Sequence, residues 1–136
     1  MEQPEARQLE LARSVFAAWE AGDYSGSDWA HPDIEFRIVG GPVSGTWRGR
    51  DGMAEGWRNF LDAFEGFSSG RSEAEQVRPG LVLVRAGVTG RGRTSGVDLS
   101  RTGAQTATVF HLDGDQVVRL HFYIDGEEAL DDLGLT

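Results

Sequence analysis

Gln105-Thr-Ala-Thr-Val-Phe-His-Leu-Asp-Gly-Asp-Gln-Val-Val-Arg-Leu-His-Phe-Tyr-Ile124 fixes the architecture more firmly than any other part of the chain. Thr106, Thr108, Phe110 and Leu112 fall on one face of a strand over Gln105–Leu112, and Leu120, Phe122 and Ile124 on one face of a second over Val117–Ile124. Asp113-Gly-Asp-Gln116 between them reads as a hairpin connection. Two registers are open. A three-residue loop or a bulge sets Thr108 against Phe122. A two-residue Gly114-Asp115 turn alone sets Thr108 against His121, because opposed residues point the same way and a one-residue slip inverts the faces. The bulged register is favoured, since it gathers Phe110, Leu120, Phe122 and Ile124 on the buried side and leaves Arg119 outside. The choice decides whether His121 lines the interior.

Upstream of the hairpin, Leu81 to about Arg93 and Arg71–Arg78 also read as strands, and Ile34, Phe36 and Ile38 alternate with Glu35 and Arg37 as a half-buried strand. Leu9, Ala12, Val15, Phe16 and Trp19 recur three and four apart, which predicts a helix over Pro4–Ala21 that Gly22 ends. Met53, Trp57, Phe60, Leu61 and Phe64 predict a second helix over Asp51–Phe67, with Asp51 as its cap. Asp125-Gly-Glu-Glu128 has the spacing of a capping box ahead of Ala129, Leu130 and Leu133, so a short helix closes the chain. Helices early and antiparallel strands late make an α+β domain, the helices lying on one face of a curved sheet.

The chain has 136 residues, enough for the single domain 1–136 and too few for a second. It has no cysteine, which removes disulfides, thiolate nucleophiles and thiolate metal sites and favours the cytoplasm. Net charge is −9, from 22 acidic against 13 basic residues, which opposes general binding to nucleic acid or anionic lipid. The basic residues are all arginine. No apolar run is long enough to cross a membrane, and Met1–Arg7 is unlike a signal peptide. No residue set suggests a metal site or a cofactor.

Four strings, in their order and spacing, resemble the SnoaL-like members of the nuclear transport factor 2 superfamily: Ala17-Ala-Trp-Glu-Ala-Gly-Asp23, His31-Pro-Asp-Ile-Glu-Phe36, Gly45-Thr-Trp-Arg-Gly-Arg-Asp-Gly52 and Tyr123-Ile-Asp-Gly-Glu-Glu-Ala-Leu130 followed by Leu133-Gly-Leu135. The resemblance covers nearly the whole chain. It implies a cone of bent, antiparallel-rich sheet wrapped around N-terminal helices, with an internal pocket. It also implies a homodimer formed through the outer face of the sheet. It does not imply one chemistry, because the superfamily includes isomerases, cyclases, hydrolases and members that only bind.

The chemistries this resemblance brings to mind depend on particular groups. Ketosteroid isomerases need a tyrosine on the first helix, an aspartate base at the end of the first strand and a protonated acid in the second-last strand. These positions fall at Val15, near Ile38 and near Thr108. The last-strand carboxylate of limonene-type epoxide hydrolases and of SnoaL-type cyclases falls at Phe122. The family carboxylates are therefore missing, and the expected function is binding of a small apolar, aromatic or polyketide-like ligand. The alternative is a cyclase-, isomerase- or hydrolase-like enzyme with its own residue set, His121 with Thr108 being the catalytic candidates.

The expected pocket wall is Val15, Trp19, Trp29, Phe36, Ile38, Trp47, Trp57, Phe60, Thr108, Phe110, Leu120 and Phe122, since aromatic walls with a few hydroxyls suit a flat apolar ligand. Gly40–Gly45 and Trp47 stand at its mouth as a lid. On the bland reading the aromatics are core, His121, His111 and Tyr123 face outward, Asp125 is a cap, and His31 and Asp33 belong to a turn. Gly90-Arg-Gly-Arg-Thr-Ser-Gly96 lacks the lysine and helix of a phosphate loop. Arg85, Arg91, Arg93 and Arg101 form a positive stripe that either pairs with the acidic tail or holds an anion.

Overall fold

A computed structural model describes residues 4–41, 43–94, 96–99 and 105–135. The elements run α1 (Pro4–Glu20), β1 (Ala30–Val39), β2 (Gly45–Arg48), α2 (Gly49–Asp62), β3 (Phe64–Arg78), β4 (Leu81–Gly92), β5 (Gln105–Asp113), β6 (Gln116–Tyr123) and a closing helix α3 (Gly126–Asp132). One six-stranded sheet has the order β2-β1-β6-β5-β4-β3. Every neighbouring pair is antiparallel except β1 with β6. The sheet curls into a half-barrel, and α1 and α2 pack into its concave side against β1 to β4.

The last hairpin combines the two alternatives. Asp113 pairs with Gln116 across a two-residue turn in which Gly114 takes φ 63°. Glycine tolerates that backbone without steric cost. A bulge between His111 and Leu112 then restores the other register, so that Phe110 faces Leu120 and Thr108 faces Phe122. The extra residue is Val118, and its insertion keeps the apolar side chains of β6 inside.

Three expectations change. The helix over Asp51–Phe67 starts at Gly49 and stops at Asp62. Phe64 and Phe67 fit the helical spacing equally well as the start of β3, which therefore begins seven residues before the expected Arg71. Asp51 lies in the first turn of α2 and is not its cap; the cap position is Arg48, without a side-chain hydrogen bond. Finally, the helices do not all lie on one face. Ala129 and Leu130 of α3, with Leu133 just after it, pack on Leu81, Leu83, Ala107, Val109 and Tyr123, which point away from the concave side. Asp125 does cap α3, its Oδ1 accepting from Glu127 N–H at 3.0 Å.

Gln8 ties the layers together. Its buried amide accepts from Gly80 N–H at 2.9 Å and donates to Gly114 O at 3.2 Å, so α1 holds the β3–β4 and β5–β6 turns side by side. No described helix is long and apolar enough to cross a membrane.

Candidate functional site

The concave face of the half-barrel collects the aromatic residues because period two in the strands and period 3.6 in the helices aim the same side chains at each other. Trp57 of α2 is the hub. Its ring centroid lies 4.9 Å from Phe36, 5.0 Å from Trp19, 5.0 Å from Tyr24, 5.2 Å from Phe122 and 6.0 Å from Phe60. Trp19 in turn stacks on Phe110 at 5.9 Å and on Tyr24 at 5.9 Å. These are the separations at which edge and offset ring contacts add to simple burial.

Of the expected wall, Val15, Trp19, Phe36, Ile38, Trp57, Phe60, Thr108, Phe110, Leu120 and Phe122 come together and are buried. Trp29 is half-buried and meets the group edge-on through Trp19 at 6.3 Å. Trp47 lies inside β2, packed on Phe36 at 5.9 Å. Four residues with one inward aromatic give too little alternation to reveal such a strand. The segment before it, expected as a lid, borders a groove of about 360 Å³ at the β1–β2 end, lined by Arg37, Ile38, Val39, Gly40, Ser44, Gly45 and Thr46. Pro42 lies outside the described residues.

The polar groups of the interior are few. Among the described residues the buried polar side chains are Gln8, Ser69, Thr106 and Thr108, and none is a carboxylate, imidazole or guanidinium. Thr106 Oγ1 donates to Ala86 O at 3.3 Å. Burial raises the Tyr24 phenol above its ordinary range, a hydrogen bond with Ser69 opposing the shift. Among the described residues, Trp57 Nε1 and Thr108 Oγ1 have no hydrogen-bond partner.

His121 does not join Thr108. The two are in adjacent strands, but the bulged register pairs His121 with Val109 and sends it to the outer face. There His121 Nε2 lies 2.9 Å from Glu35 Oε2, and Arg48 lies 3.5 Å from the same carboxylate. The hydrogen bond with His121 is the main cause that holds Glu35 below the ordinary carboxylate range. His111 sits 5.2 Å from His121, ring to ring, and burial with the neighbouring cationic groups lowers its pKa to about 4. Tyr123 donates to Asp132 Oδ2 at 2.9 Å, and burial first and this bond second push the phenol up to about 12. Glu35 and His121 are 86 positions apart, so nothing local in the sequence joins them.

The remaining candidates have local duties. His31 Nδ1 accepts from Asp33 N–H at 3.0 Å, and both lie not in the expected turn but in the first part of β1, where its register with β6 shifts between Ala30 and Glu35. Arg91 approaches Asp98 at 4.0 Å and Arg93 Nε donates to Asp62 O at 2.9 Å, so the arginine stripe is partly engaged nearby. Arg101 lies outside the described residues. No group of three or more side chains suited to a metal ion occurs among the described residues.

A family model described as SnoaL-like domain matches residues 12–120. No curated protein matches the sequence. Among solved structures, the chain is similar to an NTF2-like protein from Burkholderia thailandensis, with 18% identity, TM-score 0.73 and 98% of each chain covered. It is also similar to a candidate polyketide cyclase from Xanthomonas campestris, with 16% identity, TM-score 0.71 and coverage of 95% of this chain and 98% of that one. A third similar structure is TerC co-crystallized with polyporic acid, at 18% identity, TM-score 0.69 and coverage of 96% and 98%. At these identities the likeness is one of fold.

Proposed function

Since the chain belongs to the SnoaL-like domain family, in which one architecture serves many chemistries, we propose that it binds a small apolar, ring-bearing molecule on the concave face of its half-barrel. One observation carries this reading: the concave face holds a continuous aromatic network centred on Trp57, and the buried polar side chains around it are neutral. Such a lining favours flat apolar molecules and disfavours ions, whose desolvation it cannot repay. The polyporic acid found with TerC, a protein of the same fold, supports a small-molecule role, and a polyketide-like ligand fits the same lining.

Binding is preferred over turnover because the two catalytic candidates are on opposite faces of the sheet. Thr108 is inside without a titrating neighbour among the buried residues, whereas His121 is outside on Glu35. A titration of the purified protein with a panel of polycyclic ligands, followed by tryptophan fluorescence, tests the reading. Saturable quenching that Phe122→Ala weakens supports it, and a flat response across the panel removes it. Turnover of the bound compound that His121→Ala abolishes would instead favour the enzyme reading.

The same proposal has two copies pairing across the outer face, where Glu35, Arg37, Arg119 and His121 form a polar strip beside α3. Sedimentation giving a monomer at micromolar concentration would sink that part.

A further inference from the structure

The groove at the β1–β2 end differs in character from the aromatic face. Its volume is about 360 Å³, and its wall includes Arg37, Ser44 and Thr46 but, among the described residues, no aspartate or glutamate. In a chain of net charge −9, a cleft whose charged wall residue is a cation runs against the composition. Strand pairing sets its geometry. Arg37 of β1 is the cross-strand partner of Thr46 of β2, so these side chains stand beside one another on the outer face, while the next pair, Phe36 and Trp47, meets on the inner one. Ser44 borders the same groove just before β2 begins.

An exposed arginine alone is ordinary, and such a residue commonly leans on a carboxylate. The neighbouring carboxylates here are engaged elsewhere. Glu35, two residues earlier on the same face, is held by His121 at 2.9 Å and Arg48 at 3.5 Å. Asp132, which shares the neighbourhood of Tyr123 with Arg37, accepts from that phenol at 2.9 Å. Among the described residues Arg37 makes no ion pair.

The chemistry of the wall restricts what can fill it. A guanidinium offers paired N–H donors in a fork that matches two coplanar oxygens, and each hydroxyl has one further proton to give. One positive charge balances one negative charge. A phosphate dianion would bring a second that nothing in the groove neutralises and the acidic chain repels. Size decides between an inorganic ion and an organic one: a water occupies about 30 Å³, whereas clefts from about 300 Å³ upward hold organic ligands. We propose that this groove binds a small organic monocarboxylate, its carboxylate between Arg37 and the Ser44 and Thr46 hydroxyls and its apolar body along Val39 and Gly40. Arg37 and Thr46 lie on the face opposite the aromatic network, so this site stands whether or not the concave face binds a ligand.

Benzoate and benzamide share a ring and differ in charge. Each is titrated into the ¹⁵N-labelled protein while the amide signals of Val39, Gly40, Gly45 and Thr46 are followed. Benzoate should shift them saturably, and benzamide should not. Arg37→Gln, at an exposed position that leaves the core intact, should weaken benzoate about 10-fold, the lower end for hydrogen bonds to a charged group because the groove is open to water. Arg37→Lys should lose less, since it keeps the charge and gives up the fork. Phe122→Ala, on the aromatic face, should leave benzoate binding unchanged. The inference is overturned if benzamide moves the same signals as strongly, if Arg37→Gln has no effect, or if benzoate shifts only concave-face residues. Inorganic phosphate binding more tightly than benzoate would overturn the monocarboxylate assignment. Sedimentation of the same samples separates a free ligand from a second copy of the chain: if benzoate splits a dimer into monomers, the groove is filled by the second copy's own carboxylate and the small-ligand inference fails.

Discussion

Gly56 is the position where two opposing effects can be weighed from the structure. It is buried in the middle of α2, where alanine is favoured over glycine by about 1 kcal/mol through backbone entropy alone. Against this, a Cβ at Gly56 would stand 2.8 Å from Phe36 Cδ2 and Cε2 and 2.9 Å from Trp47 Cδ2. Carbon atoms prefer about 3.5 to 4.0 Å, so the neighbours must retreat by nearly an ångström. Phe36 is fully buried against Trp57 and cannot swing aside cheaply. Overpacking of this kind costs about 1 to 3 kcal/mol, so Gly56→Ala should destabilise by ~1 kcal/mol net.

Gly52 supplies the control. It lies in the same helix, but its nearest contact for an added Cβ is Trp47 Cβ at 3.4 Å. Gly52→Ala should therefore be neutral or stabilising by up to ~1 kcal/mol. Thermal unfolding followed by far-ultraviolet circular dichroism reads both, at roughly 3 to 5 °C per kcal/mol for a chain of this size. Gly56→Val should lower the midpoint further than Gly56→Ala. If Gly56→Ala melts at or above Gly52→Ala, the close approach of α2 to β1 and β2 is not what fixes glycine there.

Other outcomes follow from single contacts. Gln8→Ala removes the acceptor of Gly80 N–H and the donor to Gly114 O, and should cost about 2 kcal/mol in a denaturant melt; a loss below ~0.5 kcal/mol would contradict the clamp. Asp125→Ala should cost about 0.5 to 2 kcal/mol through the lost cap, measurable in the same melts, with Asp125→Asn closer to the parent. Thr108→Val, which deletes an unpartnered buried hydroxyl, should leave the ligand-free midpoint unchanged or raise it, and a marked drop would mean the hydroxyl is satisfied. The folded-state pKa of His111, about 4, is below the unfolded value, so the unfolded chain binds more protons between these values. Stability from this group is complete above the unfolded pKa and is lost as pH falls toward 4, by ~1 to 2 kcal/mol after allowance for partial solvation. His111→Gln should flatten that part of the stability profile, and an unchanged slope would refute the assignment.

Patterning that depends on near neighbours along the chain was legible before any coordinates. The 3.6-residue stripe from Leu9 to Trp19, the alternation in β1, β5 and β6, and the Asp125 cap each follow from short-range geometry, and they give the α+β class and most of the core. The helix-to-strand boundary near Phe64 was not legible, because Phe60, Phe64 and Phe67 satisfy a helical period while Phe64 and Phe67 serve a strand just as well. Strand β2 is too short to carry a period.

The candidate site divides the same way. That Trp57, Phe122 and Thr108 belong to the buried set follows from their periodicity. Which face His121 takes depends on one extra residue, Val118, in the bulge of the last hairpin, and that is an energetic choice made by the whole core: only this register buries Leu120 and Phe122 together with Phe110. The Glu35–His121 pair, the packing of α3 on the outer face and the unanswered donors of Trp57 and Thr108 arise from residues brought together across tens of positions. Local propensity cannot encode such meetings, because they exist only once the sheet has curled and its layers have closed.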